Sequence, residues 1–365
     1  MDSRKNGNLA KLVAFFLIVT VLVMAIAFSV SGWQGDTPKE PDSGDSPLGE
    51  NADENTDGET DNTAEPERPA YTHYISGLVI TEEESLLKPL CVIYDSDAPL
   101  YGISSAMLTV EIPIEGSDTR LLVFTDKATE AGKLGALAPT RDYITNIASF
   151  FGAVPVYLGN DDRFPYSAIS QEDDYIDFAE IDGYYYTEYG MYNYTNADLL
   201  HAYIQNNGIG MVMSASPDMP YDFSEDNEAP HGTIKATTAL IQFDKGSTTE
   251  LIYSASTGKY KIQKNTRPLT DKLDDTAPSY DNALILFSNA ITHETADATE
   301  LIIDTLGGGE GFYLNDGLAT EISWTVSDEG NLKLFDADGN KLLIKRGTSY
   351  IAFAKASMSS STKLS

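Results

Sequence analysis

Apolar residues along this chain keep three rhythms, and each predicts a different kind of element. Residues 12–30, LVAFFLIVTVLVMAIAFSV, carry no ionisable side chain, and such a run is long enough to cross a ~30 Å hydrocarbon layer as one helix. Between residues 71 and 225 the rhythm is mixed. LCVIYDS and AVPVYLG are short continuous runs that read as strands buried on both faces. Between them, RDYITNIASFFGA puts Ile144, Ile147, Ala148 and Phe151 on one helical face, with Gly152 as a stop. TNADLLHAYIQNNG predicts a second helix, capped by Thr195 or Asn196 and ended by Gly208. Strands alternating with helices make this half α/β.

SASPDMPYDFSEDNEAPHG is a polar, Pro-containing break, and beyond it strands and turns take over. TTALIQF, TELIYSA, YKIQ, ALILFS, TELIIDTL, NLKLF, KLLIK and YIAFA follow one another between Gly, Asp and Asn turns, the signature of a β-sandwich or barrel-like sheet. The predicted organisation is a cytoplasmic tail (1–11), a transmembrane anchor (12–33), an acidic linker (34–70), an α/β domain (71–225), a β-rich domain (230–357) and a short tail (358–365).

Charge fixes the orientation of the anchor. Arg4, Lys5 and Lys11 precede it and an acidic segment follows, so the positive-inside bias keeps the N-terminus in the cytoplasm and the bulk of the chain outside, with Trp33 at the interface. A cleaved signal peptide, with SVSG as the processing site and a secreted product, is the rival. The apolar run exceeds the ~7 to 15 residues of a signal core. Residues 34–70 are acidic and rich in Gly, Pro and Ser; they bury too little apolar surface to offset ordering and read as a disordered, extended tether. The net charge is −32, and most of it lies beyond the tether. Nucleic acid and anionic lipid surfaces are therefore poor partners, since both attract Lys and Arg clusters.

The chain has a single cysteine, Cys91, inside the run LCVIY. It has no intramolecular disulfide partner and reads as a small buried hydrophobe. A nucleophile would want a cation beside it, and Lys88 is the one near in sequence. LGGGEGFYLNDGLATEISW, residues 306–324, invites a phosphate-loop reading, but Phe312 stands where a third Gly is needed and no helix follows. FYL, NDG and LATEISWTV instead predict a hairpin. ITHETAD lacks the second His of a zinc helix, with Asp297 in its place. His73, His201 and His231 are scattered. DADGN fails as a calcium loop: with Gly339 at the invariant glycine, Leu334 and Arg346 would occupy the first and last ligand positions. Six tyrosines between Tyr184 and Tyr194 suit either stacking on sugars or a partner protein, or the half-buried rim of a sheet. No catalytic constellation, metal site or cofactor site can be singled out.

KPLCVIYDSDAPLYGISSAMLTVEIPIEGSDTRLLVFTD, followed by LGALAPTRDYITNIASFFGAVPVYLGN, resembles the N-terminal domain of the YerB-like extracytoplasmic proteins of Gram-positive bacteria, domain of unknown function 3048. The matching positions are Asp95, Pro99, Gly102, Ser104, Ala106, Glu111, Thr119, Arg120 and Arg141. The stretch from residue 306 is similar to the C-terminal domain of that family, with its Gly-rich turn, Asp-Gly hairpin and Trp at Gly309, Gly311, Asp316, Gly317 and Trp324. The resemblance implies an α/β domain followed by a β-rich one, outside the membrane, and little chemistry. Met107 and Ala138 replace an Asp and an Arg of the family pattern, YLGN replaces a His-containing strand end, and the lipid-bearing Cys common in the family is missing.

Arg120 and Arg141 stand at junctions of apolar runs and turns, where a guanidinium can hold a carboxylate or phosphate with two hydrogen bonds. With Asp95 and Glu111 they form the candidate ligand-binding set. The competing expectation is internal ion pairing with Asp95, Glu111 or Asp142. The function expected from all this is a single-pass, membrane-anchored binding or scaffold protein of the cell envelope, with an envelope protein or cell-wall component as partner. The alternative is an enzyme, or a binder of carrier lipid or phosphorylated glycan, using the two arginines.

Overall fold

The computed structural model describes residues 71–159, 174–215, 217–225, 227, 232–294 and 299–365. The predicted transmembrane segment and linker lie outside them. Among the described residues no helix is long and apolar enough to cross a membrane.

This part of the chain is mostly β-sheet with few helices. In chain order its main elements are β1 (Leu90–Asp95), β2 (Leu108–Pro113), β3 (Thr119–Thr125), β4 (Leu134–Leu137), α1 (Asp142–Phe150), β5 (Val154–Tyr157), β6 (Tyr186–Glu188), β7 (Tyr192–Thr195), α2 (Ala197–Asn207), β8 (Thr238–Asp244), β9 (Ser247–Ser254), β10 (Lys259–Lys264), β11 (Asn282–Ser288), β12 (Gly308–Asn315), β13 (Leu318–Val326) and β14 (Ser349–Lys355). One 14-stranded sheet runs β13-β12-β11-β14-β2-β3-β1-β4-β7-β6, with short strands added at its flanks. Strands from both sides of the predicted domain boundary at residues 225–230 share it. The seam is β14, which pairs in parallel with β11 on one side and with β2 on the other.

A 6-stranded sheet built on β10-β9-β8 covers part of one face. Lys363–Leu364 pairs with β8 in this sheet, and Ala356–Ser361 forms a 3-10 helix that carries the chain back to β8. Burial follows the layering. β1, β11 and β14 are buried at nearly every position because both faces of the large sheet are covered, which is why their sequences read as unbroken apolar runs. β8 alternates buried and half-buried residues because only one of its faces meets the core.

Two apolar layers result. On one face of the large sheet, Cys91, Ile93, Leu122 and Phe124 pack with Ile144 and Ile147 of α1 and with Trp324 and Phe353. On the other, Val92, Tyr94 and Val123 pack with Ile241, Phe243 and Ile262 of the smaller sheet and with Leu200 of α2. Each such side chain contributes roughly 1.5–3 kcal/mol by leaving water. Burial pushes the Cys91 thiol well up, and Lys88 is engaged with Asp174 at 2.8 Å, so Cys91 sits in the core as a hydrophobe.

Local signals place both helices. The Asn196 side chain accepts from the Leu199 amide at 3.0 Å, capping α2, and Gly208 ends it in the left-handed region. α1 ends just before Gly152, also left-handed. The glycine-rich stretch differs from expectation. Gly308, Gly309 and Gly311 lie inside β12 and form no turn; the turn is Asp316-Gly317, with φ of 48° and 77°, the two-residue type that matches strand twist. It sets Asn315 opposite Leu318.

Candidate functional site

The four residues expected to bind a ligand do not converge on one surface. Along β3, side chains alternate between faces: Leu121 belongs to the core under the smaller sheet, Leu122 to the core under α1. Arg120 therefore shares the α1 face, opposite Asp95 in register. Its Nη1 lies 3.9 Å from Asp95 Oδ1 and donates to the Thr119 carbonyl at 3.4 Å. Burial lowers the Arg120 pKa, with Asp95 opposing and Arg141 adding to the fall. Arg141, just before α1, donates from Nη1 to the Thr140 carbonyl at 2.8 Å and from Nη2 to Glu115. Internal ion pairing thus holds for both arginines, with Glu115 as a partner beyond the three expected.

Glu111 lies on the opposite face. It is 1 % exposed in the side chain and accepts four hydrogen bonds. Thr119 Oγ1 (2.7 Å) and Lys264 Nζ (3.0 Å) donate to Oε1; Tyr350 OH (2.6 Å) and Thr249 Oγ1 (2.8 Å) donate to Oε2. These donors come from β3, β10, β14 and β9, so one carboxylate ties the two sheets together. Lys264 Nζ also donates to Thr119 Oγ1 at 2.5 Å, and Ser96 Oγ is 3.0 Å from that hydroxyl. Burial alone would raise the Glu111 pKa; the Lys264 charge and the hydrogen bonds from Tyr350, Thr119 and Lys264 outweigh it and hold the carboxyl below its ordinary 4.5.

A depressed folded-state pKa means that the unfolded chain takes up this proton first as pH falls. The contribution of Glu111 to stability is fully present above about pH 4.5 and is lost as pH drops through the lower folded value. Urea midpoints taken from pH 6 downward should fall below pH 4.5, and the fall should be shallower in Glu111→Gln. An identical acid limb in the two proteins would show that Glu111 is not a source of it.

Above this pair opens a pocket of about 310 Å³. Its walls are Ser96–Leu100, after β1, and Lys264, Asn265, Arg267–Thr270 and Lys272, at and after β10. A two-residue turn builds the second wall. Asn265 and Thr266 have φ of 47° and 66°, and the hairpin sets Lys264 directly opposite Arg267. Asp271, fully buried, fastens this wall to the first: it accepts from the Gly102 amide (3.0 Å), the Ser104 amide (2.9 Å) and the Ser104 hydroxyl (2.6 Å). In this way Gly102, Ser104, Glu111 and Thr119, scattered through the first half of the sequence, gather around one feature.

Lys264 is the residue that sequence reasoning missed. The signal was there: in KYKIQK, Tyr260 and Ile262 occupy the buried face of β10, and the next residue on that face is Lys264. A lysine in an apolar period-2 register needs a buried counter-charge. The tyrosines take the rim arrangement instead of forming a free platform: Tyr194 is buried, Tyr184, Tyr185, Tyr186 and Tyr192 are half-buried, and Tyr189 is exposed. Lys133 Nζ lies 3.7 Å and 3.9 Å from the ring centres of Tyr101 and Tyr194. DADGN is a turn in which Asp336 Oδ1 accepts from the amides of Asp338 and Asn340.

Residues 75–216 match the family model described as the N-terminal domain of a protein of unknown function, DUF3048, and residues 239–351 match the model of its C-terminal domain. The fold is similar to the crystal structure of YerB protein from Bacillus subtilis, with a TM-score of 0.68 at 18 % identity, over 81 % of this chain and 99 % of that one. No curated protein matches the chain.

Proposed function

The chain belongs to the DUF3048 family, and from that premise we propose that it is an extracytoplasmic binding protein of the cell envelope, held at the membrane by residues 12–33 and given reach by the acidic tether. Its ligand seat is the pocket above the Glu111–Lys264 pair. One observation carries the reading: the pocket walls come from the segments matching both domains of the family, and junctions between domains are where small-ligand sites concentrate. The buried ion pair beneath it fixes the floor while the rim stays open.

The alternative, a carrier-lipid or phosphorylated-glycan site on Arg120 and Arg141, draws less support, since Asp95 stands 3.9 Å from Arg120 and Glu115 pairs with Arg141. Protease added to intact cells stripped of their wall should release a soluble fragment cut within residues 34–70. Protection of that segment in intact cells would overturn the extracytoplasmic assignment.

A further inference from the structure

Resting on that pocket as the ligand seat, we infer that it takes a compact oxyanion, a phosphoryl or carboxylate group, seated on Lys264 and Arg267 with Ser96 beside them. In a chain of net charge −32, the pocket gathers Lys264, Arg267 and Lys272 against Asp97, and Glu111 offsets Lys264 at 3.0 Å. Lys272 is offset by Asp275 at 3.2 Å, but Arg267 has no ion pair among the described residues.

Lys264 and Arg267 are a directly opposed cross-strand pair, an arrangement of like charges that destabilises a hairpin. Glu111 neutralises one of the two cations. An anion in the pocket would neutralise the other, so the free protein holds a repulsion that a ligand of this charge relieves.

An ammonium has three N–H groups, and Lys264, with a 7 % exposed side chain, gives two of them to Glu111 and Thr119. The third has no acceptor among the described residues, on a side chain that lines the pocket. Ser96, also buried and lining it, has its hydroxyl 3.0 Å from Thr119 Oγ1 and stands beside the lysine. Arg267 adds a planar fork at the rim, suited to two oxygens of one group. A fixed lysine N–H and a guanidinium together suit a group with two or three acceptor oxygens.

The test is titration of the full chain in detergent micelles with inorganic phosphate, acetate and glucose, followed by calorimetry and by the backbone amide shifts of Ser96, Asn265 and Arg267. Phosphate or acetate should move these amides and glucose should not; the tighter of the two anions identifies the group. Arg267→Ala, a rim change outside the Glu111 cluster, should weaken that binding about tenfold or more, while Lys341→Ala, remote and paired with Asp222 at 2.8 Å, should leave it unchanged. Equal losses in the two variants would mean diffuse charge attraction and would overturn the inference. Shifts with glucose alone would keep the pocket as a seat and reject the oxyanion. Silence with all three probes would reject both.

Discussion

Replacing Glu111 with Gln is expected to lower folding stability by about 3 to 5 kcal/mol. The change leaves the Lys264 ammonium buried without its counter-charge. It also sets an NH2 in place of one carboxylate oxygen, facing either Thr119 and Lys264 or Tyr350 and Thr249, which donate there. Because the carboxylate ties β2 to β3, β9, β10 and β14, the loss should appear as a single earlier unfolding transition and not as fraying of one edge. The double variant Glu111→Gln, Lys264→Met removes the unpaired charge and should recover a large part of the loss, since a buried ion pair is worth far less than the damage done by removing one partner. Urea unfolding of the single and double variants measures this directly. A single-variant cost below about 1 kcal/mol would place the pair in a wet, surface-like setting, contrary to its burial.

Gly309→Ala should cost about 3 kcal/mol or more, the range of severe backbone or packing conflicts. A Cβ there would stand 2.1 Å from the Phe287 carbonyl oxygen of the neighbouring strand β11 and 2.9 Å from Trp324 Nε1. Neither is a flexible end that can swing aside. The Trp324 indole donates to that same carbonyl at 3.1 Å, reaching it across the space the glycine leaves open. One methyl group thus pushes β12 from β11 and breaks a buried hydrogen bond together. Gly311→Ala should behave alike, with its Cβ 2.2 Å from the Ile285 carbonyl oxygen. Gly132, exposed and with nothing within 4 Å of its would-be Cβ, is the control and should tolerate Ala with little change. Near-neutral Gly309 and Gly311 variants would mean that β12 and β11 are not held at this spacing.

The glycines show where a sequence pattern is silent. GGGEG was legible as something other than a phosphate loop, because no helix follows it. Whether those glycines make a turn or a strand depends on what lies across from them, and the answer is the backbone of β11, about 20 residues upstream. The cation pocket has the same character. Lys264 could be flagged from its apolar register and Glu111 from the family pattern, but nothing local joins two residues 153 positions apart. Arg120 and Glu111 entered the candidate set together, and the two-residue period of β2 and β3 sends them to opposite faces.

What the sequence determined by itself is what depends on neighbours along the chain. Helix α2 follows from its cap at Asn196 and its stop at Gly208, the β12–β13 hairpin from Asp316-Gly317, and the burial of β1 on both faces from its unbroken apolar run. The family pattern was legible as well, since it is a set of positions in order. Tertiary structure alone decided the strand order, above all that β14, near the C-terminus, enters between β11 and β2 and joins the two halves into one sheet. A strand's sequence states how many of its faces are buried; it does not state against whom, because backbone hydrogen bonds are the same for every partner. The choice of partner comes from the packing of whole layers and from pairs such as Glu111 and Lys264, whose cost in isolation is so high that they persist only where the fold brings them together.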